Sequence, residues 1–103
     1  MVVFGAEPTI ADGCAGGMEE DALTLPLVSQ LVDDWHLLSE EKTKAAMRLY
    51  IENENHLLEG SAGLAIAALL DTAERNPARF KEKTIVLVIC GSRIGLKTLR
   101  NLL

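Results

Sequence analysis

The 103-residue chain is short of aromatic residues, basic clusters, long apolar runs and paired cysteines, and each shortage excludes something. Its aromatic side chains are Phe4, Trp35, Tyr50 and Phe80, so the core has to be built from Leu, Ile, Val and Ala. Ten Lys and Arg stand against 15 Asp and Glu, a formal net charge of −5. With no cluster of bases to neutralise phosphates, a nucleic-acid role has little electrostatic support. No apolar run approaches the roughly 20 residues of a spanning helix, and the opening MVVFGAEP lacks the basic and apolar regions of a signal peptide. Cys14 and Cys90 lie far apart, outside any CxxC or Cys/His spacing. That usage fits a reducing cytoplasm and argues against a zinc site. The expectation is a cytoplasmic chain of one domain at most, with no membrane partner and no metal.

What is present is organised around 84–93, TIVLVICGSR. A short apolar run of β-formers closed by Gly reads as a strand buried on both faces, as in a parallel sheet covered by helices. Lys81, Glu82 and Lys83 place charge before it, and Leu96, Leu99, Leu102 and Leu103 follow at helical spacing. The expected fold class is therefore α/β, a three-layer fragment with helices around a small, mainly parallel sheet. Ligands of such sheets gather at the carboxyl ends of strands, here Cys90, Gly91 and Ser92.

Along the chain, 1–6 reads as an optional short strand. Residues 9–17, TIADGCAGG, read as a Gly-rich loop, either a plain surface turn or one in which backbone approaches a ligand. Leucines from Leu23 on, with Pro26 in a first turn, predict a short helix over 27–33 stopped by Asp33 and Asp34. Residues 35–38 read as extended. Ser39 is a credible N-cap, with Glu40 and Glu41 favourably placed against the helix dipole, for a helix running to about Asn53. Its buried face is expected at Ala46, Met47, Leu49, Tyr50 and Ile51. The paired acids Asp33/Asp34 and Glu40/Glu41 are read as capping and solvated charge rather than as acid/base catalysts. A second helix from Gly60, apolar on every side and rich in Ala and Gly, should be central and end before Asn76-Pro77. Glu59 at its head is a capping acid or a site residue, and His56 a structural histidine.

The order of these pieces is more specific than any one of them. ADG at 11–13, VDD at 32–34, EGSAGLA at 59–65 and ICG at 89–91 occur in the order and approximate spacing of one family. From about Thr9 to the end, the chain resembles the C-terminal portion of the fold-type II pyridoxal-phosphate enzymes of the threonine/serine dehydratase and serine racemase family. The resemblance divides the chain into a variable segment, 1–8, and a dehydratase-like large-domain fragment, 9–103. It implies an ammonia-lyase ancestry: β-elimination from a hydroxy-amino acid bound to pyridoxal phosphate, releasing a 2-oxo acid and ammonia. It also implies that Cys90 meets the pyridine nitrogen, that Gly91 and Glu59 lie near the cofactor, and that Gly13, beside Asp12, lies in a loop facing the site. A neutral thiol leaves the ring a weaker electron sink than a carboxylate partner would, which suits an elimination whose leaving group takes the electrons.

The departures limit this reading. The family's Schiff-base lysine, substrate loop and Gly-rich phosphate cup match nothing here, and none of Lys42, Lys44, Lys81, Lys83 or Lys97 sits in a matching motif. The usual Gly-Gly-Asn turn is Gly91-Ser92-Arg93. The expectation is a chain with no catalytic residue of its own, inert alone, with pyridoxal phosphate absent or weakly bound. Such a chain would work with a complementary N-terminal dehydratase chain or as a homo-oligomer. The rival expectations are a non-catalytic interaction or structural protein that keeps the fold and self-associates, and a small module holding an anion at the Cys90 strand end and the Ser61 helix N-terminus.

Overall fold

A computed structural model describes residues 7–103, and among them every regular element is helical. The order is a 3-10 turn at Asp12–Cys14, α1 (Thr24–Leu31), α2 (Glu40–Glu54), α3 (Gly60–Arg75), a second 3-10 turn at Pro77–Phe80 and α4 (Leu96–Leu102). The optional strand at 1–6 lies outside the described residues.

α2 begins where its cap chemistry places it. The Ser39 side chain accepts from the Lys42 N–H at 3.3 Å, and Glu40 and Glu41 occupy the first turn. It ends at Asn55, whose φ of 55° is the left-handed conformation that Asn tolerates better than most residues. α3 packs along α2 because its facing side is almost bare. Gly63 leaves the room that the Met47 side chain fills, and Ala46, Met47, Leu58, Ala62, Ile66, Ala67 and Leu102 form one buried cluster. Burying a side chain the size of Met47 contributes about 1.5–3 kcal/mol. Away from the Gly60 end the helices are joined by charge. Asp71 on α3, almost wholly buried, pairs with Lys42 of α2 and with Arg75 at 3.0 Å. α4 is fastened by the buried Leu102 and by Arg48 Nε, which donates to the Leu102 carbonyl at 2.6 Å. The expected buried face of α2 holds at Ala46 and Met47, is half-buried at Tyr50 and Ile51, and fails at Leu49, which is exposed.

The expected sheet is not there. Residues 84–90 form no strand, and no backbone group of theirs enters a backbone–backbone hydrogen bond among the described residues. The α/β, three-layer expectation is thus corrected to a helical architecture. The physical reason is that a strand is a property of a pair: β-branched residues favour extended backbone, yet the ladder needs a neighbour. Nor is the segment buried on both faces. Leu87 is half-buried and Ile85 and Ile89 partly covered, but Val86 is 82% and Val88 70% exposed. The alternation of a strand survives with one side bare. α1 also differs, running Thr24–Leu31 instead of 27–33, so Pro26 falls on its third residue, still within the first turn.

Candidate functional site

The candidate site is built where the loop 9–14, the head of α3 and the chain after 90 meet. Glu40 sets the loop: its carboxylate accepts from Thr9 Oγ1 at 2.8 Å and from the Ile10 N–H at 2.7 Å. Burial pushes the Glu40 carboxyl up, but the Ile10 N–H, the Thr9 hydroxyl and Lys44, 3.7 Å away, together hold it below the usual range. The loop then lies on α3 so closely that a Cβ at Gly60 would overlap the Ile10 carbonyl. Gly13, whose N–H donates to Asp12 Oδ1 at 2.9 Å, rests against the Ser61 hydroxyl.

Glu59 occupies the N-cap position of α3, but its side chain makes no capping bond. It turns instead to the other segment. The Glu59 N–H donates to the Gly91 carbonyl at 3.0 Å, and the carboxylate fills the space that a Cβ on Gly91 would need. Of the four residues singled out for the cofactor, the structure therefore brings Glu59 and Gly91 into contact and seats Gly13 one residue along α3, on Ser61. Cys90, a free and exposed thiol, is placed beside them by its bond to Gly91.

Between these groups lies a small cleft of about 40 Å³, lined by Ile10, Asp12, Glu59, Gly60, Arg93 and Thr98 among others. A larger hollow of about 370 Å³ lies among Thr9, Glu40, Lys44, Thr98, Asn101 and Leu102, where the Glu40 and Lys44 charges already face each other. Two features escaped the sequence. Glu40 reaches loop residues about 30 positions earlier in the chain, and no local signal announces that. Ser61 Oγ is buried with no hydrogen-bond partner, because the loop covers it. Among the described residues no group of three or more His, Cys, Asp or Glu side chains could hold a metal ion, and no helix is long and apolar enough to cross a membrane.

A family model described as pyridoxal-phosphate dependent enzyme matches residues 2–91, most of the chain. The chain belongs to the pyridoxal-phosphate dependent enzyme family. Its relatives include a catabolic L-threonine dehydratase of Staphylococcus aureus, 30% identical over 87% of this chain. An L-threonine ammonia-lyase of Thermotoga maritima is 30% identical over 94%, and a serine racemase of Bos taurus 34% identical over 88%. The chain spans about a quarter of the length of these relatives, 25%, 23% and 26% respectively.

Pyridoxal phosphate is the family's cofactor, and the residues present do not fit it unaided. A cleft of about 40 Å³ is far below the ~300–1,000 Å³ of small-molecule sites. No lysine lines it, whereas Lys42 is engaged with Asp71 and Lys44 lies beside Glu40. Asp12 and Glu59 face Arg93 there, so a phosphate dianion would meet more negative than positive charge.

Proposed function

We propose that this chain supplies the pyridine-facing wall of a threonine/serine dehydratase-type ammonia-lyase site and is catalytically incompetent by itself. In this reading Cys90 faces the pyridine nitrogen, Gly91 and Glu59 shape the approach to it, and the Gly13 loop covers the flank. The aldehyde-binding lysine and the phosphate cup come from family sequence that matches nothing in this chain, in the same or another polypeptide. The observation that carries the reading is the contact of the Glu59 carboxylate with Gly91 at the head of α3, made by residues more than 30 positions apart. Equilibrium dialysis against pyridoxal phosphate, with Cys90→Ala as the comparison, tests it. No specific uptake is expected from the chain alone. Saturable, Cys90-dependent uptake, together with dehydratase activity, is expected when the N-terminal part of a family dehydratase is added. Cys90-independent uptake, or none in the mixture, refutes it.

A second reading, a non-catalytic interaction or structural protein that self-associates, is favoured by the bare segment 84–90. Its backbone, which enters no backbone–backbone hydrogen bond among the described residues, and the exposed Val86 and Val88 leave it free to pair with a second chain. Light scattering on the chain alone separates the two, since a stable monomer removes the second reading while the first expects association only with the added N-terminal part. An anion-binding module at Ser61 is disfavoured by the two acids beside the head of α3.

A further inference from the structure

α1 is weakly supported by its neighbours among the described residues. None of its residues is buried, and Leu23, Leu27 and Leu31, four positions apart and hence on one stripe, are 90%, 54% and 73% exposed. A helix of eight residues is marginal by itself in water, and an apolar stripe of this kind marks an association surface. Charge decides what fits it. α1 contains no charged residue, while Glu19, Glu20 and Asp21 precede it and Asp33 and Asp34 follow it. The first Lys or Arg of the chain is Lys42, so no cation lies on this stretch. Asp34 has Arg79 at 3.2 Å and His36 at 3.7 Å, but Glu19, Glu20, Asp21 and Asp33 enter no ion pair among the described residues. Asp33 moreover follows a helix C-terminus, where the dipole disfavours an anion.

A second copy is the wrong occupant. Antiparallel stacking of two α1 stripes sets the acids 19–21 of one copy against 33–34 of the other, and parallel stacking sets each cluster against itself. Either way like charges face each other beside an apolar seam. We propose that the Leu23, Leu27 and Leu31 stripe is a docking surface for an amphipathic helix of a different protein, apolar along one face and carrying Lys or Arg at both ends. This surface is separate from the segment 84–90 and does not depend on the cofactor reading.

Trp35, the chain's one tryptophan, is 72% exposed just beyond α1 and serves as the reporter. The full chain is titrated with two synthetic amphipathic helices sharing a leucine stripe, one with lysines at both ends and one with glutamates. The expected result is a saturable blue shift of Trp35 emission with the lysine peptide alone, weakened several-fold by added salt. Leu27→Ser/Leu31→Ser should abolish the shift with unchanged helical circular dichroism, because neither side chain is buried. Glu20→Gln/Asp33→Asn should retain the stripe and lose the discrimination between peptides. The proposal is overturned by equal response to both peptides, by response to neither, by self-association of the free chain that the two serines abolish, or by a shift on phosphatidylcholine vesicles that exceeds the peptide response.

Discussion

Gly60 and Gly91 both stand where a methyl group would collide, but the obstacles differ, and so should the cost of removing each glycine. At Gly60 the obstacle is the Ile10 carbonyl, which is backbone. Relief requires the loop to lift, which surrenders the two hydrogen bonds to Glu40 and the burial of Ala11, 2% exposed. Hydrogen bonds to a charged group contribute about 1.5–3 kcal/mol each when well buried and less at this partly exposed site. One buried methyl adds about 0.8 kcal/mol. Gly60→Ala should therefore cost about 2–4 kcal/mol, a large part of the roughly 5–15 kcal/mol that holds a domain folded. At Gly91 the obstacle is the end of the Glu59 side chain, which can swing aside, so Gly91→Ala should cost about 1 kcal/mol or less. Neither glycine has a positive φ, so alanine meets no backbone penalty. In a Glu59→Ala background the sign at Gly91 should then reverse to a gain of about 0.4–1 kcal/mol, from the stiffer unfolded chain. Urea unfolding followed by circular dichroism measures the parent and the four variants. A Gly60→Ala protein within about 0.5 kcal/mol of the parent, the ordinary range of a surface substitution, would refute the loop contact. A Gly91→Ala cost unchanged by removing Glu59 would refute the carboxylate contact.

Other expectations follow from the same contacts. Lys42, with help from Arg75 and against burial, holds the Asp71 carboxyl below its ordinary range. Its stabilising effect is therefore complete above the unfolded-chain value and lost as pH falls through the lower folded value. Acid titration of Asp71→Asn should lack that part of the unfolding. Met47→Ala, at a site with no exposure and a glycine opposite, should cost about 2–5 kcal/mol in urea unfolding. Ser61→Ala removes a buried hydroxyl that has no partner, so it should be neutral or stabilising by up to about 1–3 kcal/mol, and a loss on thermal unfolding would mean that the hydroxyl is in use.

The helices were legible because their signals are local. Ser39 with Glu40 and Glu41 marks the start of α2, and Asn76-Pro77 marks the end of α3. Pro26 is less informative, since proline is tolerated throughout a first turn and does not say which residue begins it. The sheet was misread because a run such as 84–90 reports its preference for extended backbone and says nothing about whether a neighbour exists. The candidate site was legible only through the order of four short motifs. The contact of Glu59 with Gly91 joins distant residues, and the bond from Glu40 to Ile10 carries no mark in either segment.

The bare segment 84–90 has a consequence for how the chain survives at high concentration. Seven consecutive residues without charge or proline, in no backbone–backbone hydrogen bond among the described residues, are the composition from which intermolecular stacking grows. Lys81, Glu82 and Lys83 stand before it and Arg93 just after, the arrangement of gatekeepers that make stacked copies repel. Arg93 then has an expected consequence that owes nothing to a cofactor: Arg93→Ala should raise aggregation of the chain at high concentration, read by light scattering.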